Sequence, residues 1–202
     1  ASLRDQAAAL ARAGFTTVGE LLVQDQDIPV IGAIKTMPDF PIRLRWYEGT
    51  NPTMKATGQA GDTDPMVRQT GLKLWVDGSP LEGKILSSEP FLDTKVTRDM
   101  GITAPCCGSA NYSEEELLTI VRAYAESGLQ FACHVQGDAA TDRILNVYET
   151  VLTERGMLGT DHRCRLVHCG ESTKAQFARA ASLGATCSMF VRHVYYFGDT
   201  YV

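Results

Sequence analysis

The 202-residue sequence has no long apolar run, no cluster of basic residues and no strong excess of one charge. No stretch reaches the roughly 18–20 consecutive apolar residues of a membrane-spanning helix, so no membrane contact is expected. The net charge is only −5, and acidic and basic residues are interspersed, so no nucleic-acid partner is expected. The 44% of hydrophobic and 21% of charged residues are typical of an ordinary globular domain.

Paired cysteine motifs are also missing, although the sequence contains six cysteines. Cys106 and Cys107 are adjacent, and the other four lie in or beside apolar runs. This distribution favours buried free thiols over a disulfide framework, and it fits a reducing compartment, so we expect a cytoplasmic protein. The chain begins without an initiator methionine, so the lack of a signal sequence excludes nothing.

Histidine is absent from the first 133 residues and then recurs at intervals. His134 and His168 are 34 positions apart (168 − 134), and His193 follows 25 positions later (193 − 168). One strand–helix repeat of an eight-stranded barrel takes about 30 residues, so the spacing places these histidines about once per strand. The remaining one, His162, lies in the polar run GTDHR and is expected to be a solvated loop residue.

The arrangement of apolar segments predicts an α/β fold. An amphipathic helix, a glycine and an apolar run follow one another three times, and Ser113 with Glu116 and Thr173 with Gln176 form capping-box patterns at two of the helices. Continuous apolar runs indicate strands covered on both faces, hence a parallel sheet of repeated βαβ units. Strands are expected at 15–23, 42–48, 71–76, 129–135, 163–169 and 185–190, alternating with about five helices.

Three side chains capable of chemistry end apolar runs and precede polar loops. They are Lys73 in GLKLWVDGSP, His134 in QFACHVQGDAATD and His168 in RLVHCGES. Active-site residues of parallel barrels lie at the carboxyl ends of the strands, so these three are expected to converge. Each histidine could instead be a hydrogen-bonded structural residue. A buried lysine needs neutralisation, and Lys73 could extend to solvent, form a Schiff base or react with CO₂ to give an anionic carbamate.

Taken together, these segments resemble the central strands of the amidohydrolase superfamily. The segment 177–199 further resembles its YtcJ-like branch, which includes the N-substituted formamide deformylases and the AepA-like proteins. The resemblance is specific over about 65–202 and weaker over 1–64. It implies a metal-dependent hydrolase on a (β/α)₈ barrel, in which one or two divalent ions, expected to be zinc, activate water to attack an amide, N-acyl or N-formyl compound.

The resemblance also implies roles for individual residues. Carbamylated Lys73, His134 and His168 would be metal ligands. The residues expected to contact a small amide-like substrate are His193, Tyr196 and Asp77. Asp199 would support the site, and Asp138 would either support it or simply cap the helix that follows it.

Several parts of the family pattern are missing from this sequence. The H-x-H pair of the first barrel strand, the aspartate of the last strand and the small β-sandwich are not found. Residues 1–202 are therefore interpreted as a partial barrel, an internal piece from about strand two or three to strand seven, which would be inactive alone and could form homo-oligomers. The alternatives are a Schiff-base lyase or aldolase that uses Lys73 and a non-catalytic binding or regulatory protein with a degenerate barrel.

Overall fold

The structure, a computed structural model, describes residues 2–49 and 62–198. The strands are β1 (Thr17–Val23), β2 (Arg43–Gly49), β3 (Val67–Trp75), β4 (Gln130–Val135), β5 (Arg165–His168) and β6 (Thr186–Met189). The helices are α1 (Leu3–Arg12), α2 (Ile28–Lys35), α3 (Lys95–Asp99), α4 (Glu114–Tyr124), α5 (Asp138–Glu154), α6 (Lys174–Leu183) and α7 (Arg192–Phe197).

The strands form one sheet in the order of the chain, from β1 to β6, and every neighbouring pair is parallel. This confirms the predicted partial (β/α) barrel. The carboxyl ends of all six strands therefore lie at one edge of the sheet, where the loops that follow them meet. Within the described part of the chain, β1 and β6 each pair on one side only.

Two apolar layers cover the outer face of the sheet. The larger one joins β3, β4 and β5 to α4, α5 and α6 and includes the fully buried Leu74, Ile144 and Leu166. The smaller one joins β1, β2 and β3 to α1 and α2 and includes Trp46 and Ile31. The inner face has a small cluster of its own: Tyr47, Ala132 and Val167, with Leu21 packed against them.

Hydrogen bonds at the helix ends confirm both predicted capping boxes. The Ser113 hydroxyl accepts from the Glu116 amide at 3.2 Å, and the Glu116 carboxylate accepts from the Ser113 amide at 2.8 Å. Thr173 and Gln176 make the equivalent pair at 3.3 and 2.9 Å. Each pair satisfies two amide donors that a helix start leaves without intrahelical partners, which fixes where α4 and α6 begin.

The long segment after β3 contains regular structure of its own. It holds a 3₁₀ turn at Pro80–Glu82, helix α3, and two isolated antiparallel bridges that tie Asp77 to Ala110 and Leu86 to Gly108. The other predicted loop, 49–64, lies mostly outside the described residues. No helix in the described ranges is long and apolar enough to cross a membrane. All six cysteines are free, and Cys133, Cys164 and Cys169 are buried.

Candidate metal centre

Lys73, His134 and His168 lie on three neighbouring strands near their carboxyl ends. His134 is directly opposite Trp75 of β3 and Val167 of β5, so it is two residues above the level of Lys73 and one residue below that of His168. The ring centroids of His134 and His168 are 4.6 Å apart. The positive charge of Lys73 contributes to lowering the pKa of both rings. The structure therefore places the two imidazoles side by side, on the strands that follow the one carrying Lys73.

An unusual backbone conformation occurs at the end of β5. His168 is the register partner of Val135, which packs in the outer apolar layer, so strand alternation would direct its side chain towards the helices. Instead, His168 has a φ of 80° and Cys169 a φ of 57°, and the imidazole lies beside His134. This left-handed conformation costs a non-glycine residue about 1–3 kcal/mol, so the surrounding structure must hold it.

The Lys73 side chain is buried without a partner. Its exposed fraction is 4%, and its Nζ makes no hydrogen bond within the described residues. Burial, with a smaller contribution from the charge of Arg165, lowers its pKa to about 8. A substantial share of Lys73 is therefore the neutral amine near pH 8, the form that reacts as a nucleophile.

Both histidines of the cluster are neutral at pH 7. Burial is the main cause that lowers the pKa of His134 and of His168 to about 4. His134 Nε2 lies 3.1 Å from the carbonyl oxygen of Gly78, which can only accept, so Nε2 carries the proton and Nδ1 has the free lone pair. His168 Nδ1 is buried without a hydrogen-bond partner in the described structure. Neutral rings oriented in this way are suited to binding a metal ion.

Asp77 supports the loops beside this cluster. Its carboxylate accepts hydrogen bonds from the amides of Gln136 (3.0 Å), Gly137 (2.8 Å) and Leu86 (3.3 Å), and it lies 3.6 Å from His134 Nε2. Burial raises its pKa to about 6, against the effect of these hydrogen bonds. The side chain is fully buried, so the substrate contact predicted for Asp77 would require the loops to open.

The other predicted site residues differ in how closely they approach the cluster. The His193 ring is nearly parallel to that of His168, at 6.1 Å and 11°, which places it at the mouth of the site. Tyr196 is 64% exposed, and its ring contacts that of Tyr195. Asp199 lies outside the described residues.

Asp138 is the first residue of α5, whereas the sequence predicts it as the N-cap that precedes the helix. The N-cap of α5 is Gly137, so Asp138 is the first helical residue and the capping prediction is wrong by one residue. Its carboxylate accepts from the amides of Ser88 and Ala139, both at 2.8 Å, and from the Ser88 hydroxyl. Asp138 thus ties the long loop after β3 to the start of α5.

His162 lies in a loop, as predicted, but it is half-buried and hydrogen-bonded rather than solvated. Its Nε2 donates to the carbonyl oxygen of Leu183 at 2.8 Å, and its Nδ1 accepts from the Cys164 amide at 3.1 Å. The ring joins the start of β5 to the end of α6. A polar sequence context does not reveal this role, since both partners are backbone groups.

Sequence reasoning missed three residues of the site. The Trp75 ring lies 5.5 Å from that of His134 and is 45% exposed, so it forms part of the open rim. Deeper in the barrel, Arg165 Cζ lies 5.0 Å from the centroid of the Tyr47 ring. The sequence signal that could have revealed Arg165 is its position at the start of an apolar strand, where a charged residue needs a partner.

Gly71 is expected to be essential to the packing of Tyr47 and Arg165 in the interior of the barrel. A Cβ atom there would lie 2.1 Å from the Gln130 carbonyl oxygen and 2.6 Å from the Tyr47 ring. We expect Gly71→Ala to destabilise the protein by about 1–3 kcal/mol because backbone and a packed ring must move. Gly32→Ala is the matched control, since nothing lies within 4 Å of its Cβ in α2 and the change should be neutral or stabilising. Equal urea-unfolding midpoints for the two variants would contradict this expectation.

The donor set fits a metal ion only if Lys73 is modified. Within the described ranges, no group of three or more His, Cys, Asp and Glu residues is arranged to hold a metal. Two neutral imidazoles are present, and the buried Lys73 Nζ and His168 Nδ1 both lack partners. A carbamate on Lys73 would add the anionic oxygen ligands that this pair of imidazoles needs.

Comparisons with known proteins agree with the fold. An uncharacterised metal-dependent hydrolase from Pyrococcus furiosus superposes with a TM-score of 0.76 at 19% identity, over 96% of this chain and 38% of that one. One from Pyrococcus horikoshii gives 0.75 at 22% identity, over 93% of this chain and 35% of that one. The protein LONG AFTER FAR-RED 3 of Arabidopsis thaliana is 30% identical over 124 residues.

The chain covers only part of each of these relatives. The match to the Arabidopsis protein includes 61% of this chain but 19% of the relative, and the chain spans less than two fifths of either archaeal structure. The model of the amidohydrolase family, in contrast, matches residues 1–202. With its parallel half-barrel and its cluster at the strand ends, this chain belongs to the amidohydrolase family.

Proposed function

We propose that this chain carries the central part of a metal-dependent hydrolase that cleaves C–N bonds in amide, N-acyl or N-formyl compounds. The observation that carries this proposal is the contact between the His134 and His168 rings on β4 and β5, beside the strand that carries the buried and unpartnered Lys73 amine. Membership of the amidohydrolase family supports the same reaction class. We propose zinc as the ion, since two imidazoles with an oxygen ligand are a common zinc donor set. The six free thiols favour a cytoplasmic location.

Lys73 becomes a ligand in this proposal by reacting with CO₂. The lone pair of the neutral Nζ attacks the carbon of CO₂, a new N–C bond forms, and one C=O electron pair moves to oxygen. Nζ then loses a proton to solvent, leaving a carbamate with one negative charge. The lowered pKa of Lys73 favours this step, since more of the amine is neutral at a given pH.

The other residues of the site hold or shield the reacting groups. A bound divalent ion would supply Lewis acidity, which activates water and polarises the carbonyl of the substrate. Gly78 and the buried Asp77 fix the orientation of His134. Trp75 and His193 lie at the open side of the pair of imidazoles, where a small amide-like substrate would approach.

The proposal is tested on the full-length protein by metal analysis and a substrate panel. We expect bound zinc, hydrolysis of N-formyl or N-acyl amines, loss of turnover after dialysis against a chelator, and recovery on adding Zn²⁺. The loss should be at least roughly 100-fold, because a metal ion contributes several kcal/mol to stabilising the transition state. Undiminished turnover in protein shown to be free of metal would refute the proposal.

A Schiff-base lyase or aldolase is the second candidate because the lowered pKa of Lys73 also suits a nucleophilic amine. Borohydride reduction in the presence of a carbonyl substrate separates the two. A carbamylated Lys73 has no free amine and gains no mass from trapping, whereas a Schiff base is reduced to a stable adduct. A protein with neither adduct, metal nor turnover would instead fit the non-catalytic binding or regulatory alternative.

A further inference from the structure

The inner face of the sheet carries a second cationic residue at the same level as Lys73. The two belong to one row of residues that lie opposite one another across the strands. Lys73, Ala132 and Arg165 lie directly opposite one another on β3, β4 and β5. Adjacent strands are about 4.8 Å apart, so the two cationic residues start roughly 10 Å apart. Ala132 between them contributes only a methyl group, which leaves room for the two long side chains to approach each other.

The guanidinium of Arg165 is directed back across the sheet by Tyr47. It lies over the Tyr47 ring at 5.0 Å, and the Tyr47 hydroxyl reaches the Gln130 side chain of β4 at 2.5 Å. The ring passes so close over Gly71 of β3 that a Cβ there would lie 2.6 Å from it. Gly71 and Gln130 are two residues below Lys73 and Ala132, so the Tyr47 ring lies below the level at which Lys73 and Arg165 leave the sheet.

Each of the two cations has a buried donor atom without a hydrogen bond in the described structure. Arg165 Nε and Lys73 Nζ are both buried without a partner within residues 2–49 and 62–198, and neither takes part in an ion pair found there. Buried charges and buried donors without partners are costly, so native proteins pair them. An anion with oxygen acceptors at the level of Lys73 would satisfy both groups.

We infer that Arg165 is a positioning residue that donates hydrogen bonds to the carbamate on Lys73 and holds its oxygens towards His134 and His168. This inference rests on the proposed function, in which Lys73 is carbamylated. A substrate entering from the carboxyl ends of the strands meets the row of Trp75 and His134 before that of Lys73. The carbamate is therefore the anion nearest to Arg165.

The test measures the carbamate itself in the full-length protein. Protein is equilibrated with ¹³C-bicarbonate over a range of concentrations, and the lysine carbamate is counted by ¹³C NMR. Arg165→Met removes the donors and keeps an unbranched side chain. We expect the bicarbonate concentration for half-occupancy to rise about tenfold or more, since charge-assisted hydrogen bonds are worth roughly 1.5–3 kcal/mol.

Arg163→Met is the matched control, because Arg163 is exposed on the same segment and pairs with Asp161. Its occupancy curve should overlay that of the wild type. If Arg165→Met reached half-occupancy of the carbamate at the same bicarbonate concentration as the wild type, the inference would be overturned, while the carbamylation of Lys73 itself would stand. Absence of any carbamate in the wild type would overturn the carbamate itself, and with it the inference.

A second variant keeps the test decisive if circular dichroism shows that Arg165→Met does not fold. Arg165→Lys retains the positive charge but has no Nε–H and no planar pair of donors. We expect its half-occupancy concentration to rise about threefold to tenfold, because part of the hydrogen bonding is lost. An unchanged occupancy curve for folded Arg165→Lys would mean that Arg165 only fills the base of the half-barrel.

Discussion

Lys73→Ala is expected to abolish hydrolysis by the full-length protein, and a short carboxylic acid in solution should restore part of it. The expected loss is at least roughly 1000-fold, because removing the anionic ligand removes both metal affinity and the activation of water. Truncation to alanine leaves a space beside His134 and His168 into which acetate or propionate can place a carboxylate. Such an acid mimics the carbamate and supplies the same type of oxygen ligand.

Bound metal and turnover are measured together for this variant, with and without the added acid. Lys84→Ala is the control, since the Lys84 side chain is 65% exposed and its ion pair with Glu82 is solvated. The control should retain metal and activity, and added acid should not raise its turnover. Full activity of Lys73→Ala without any acid would show that Lys73 is a packing residue, which would end the metal-ligand assignment.

Much of the fold could be predicted because the capping residues and apolar runs of the sequence favour the same helices and strands that tertiary packing stabilises. The capping residues of α4 and α6 mark helix starts through hydrogen bonds between neighbours in sequence, which are readable without the fold. Continuous apolar runs mark strands covered on both faces, and β4 matches its predicted range within one residue, whereas β5 is shorter than the predicted 163–169. Helix α3 was not predicted, since five residues, none of them buried, within a polar segment leave little apolar periodicity.

The site was predicted in its position but not in its detail. Strand-end placement predicts that Lys73, His134 and His168 lie near one edge of the sheet, because parallel strands end at one edge. The left-handed turn at His168 could not be predicted, as no glycine or asparagine marks it. Arg165 and its stacking on Tyr47 depend on strand register and on the space over Gly71, which emerge only when the sheet is assembled.

The open sheet has consequences for these 202 residues when they are produced alone. In the described structure β1 and β6 lack a partner on one side, and most residues of both strands are exposed or half-buried. Unpaired strand edges are templates for association with other chains. Next to β1, α1 and α2 border an open apolar cleft of about 470 Å³, and Met189 and Phe190 at the end of β6 are 57% and 46% exposed.

We therefore expect the isolated 202-residue chain to aggregate or form oligomers, to bind zinc weakly and to show no turnover. Leaving even ~400 Å² of apolar surface uncovered costs roughly 10 kcal/mol at about 25 cal/mol per Å². That cost is comparable with the whole net stability of a typical domain, about 5–15 kcal/mol, so covering the edges by self-association is favoured. Sedimentation velocity over a range of protein concentrations measures association, zinc titration measures metal binding, and the amide assay measures turnover. A cooperatively folding monomer with amidase turnover would contradict this prediction, because it would mean that the half-barrel is stable and catalytically complete without further strands.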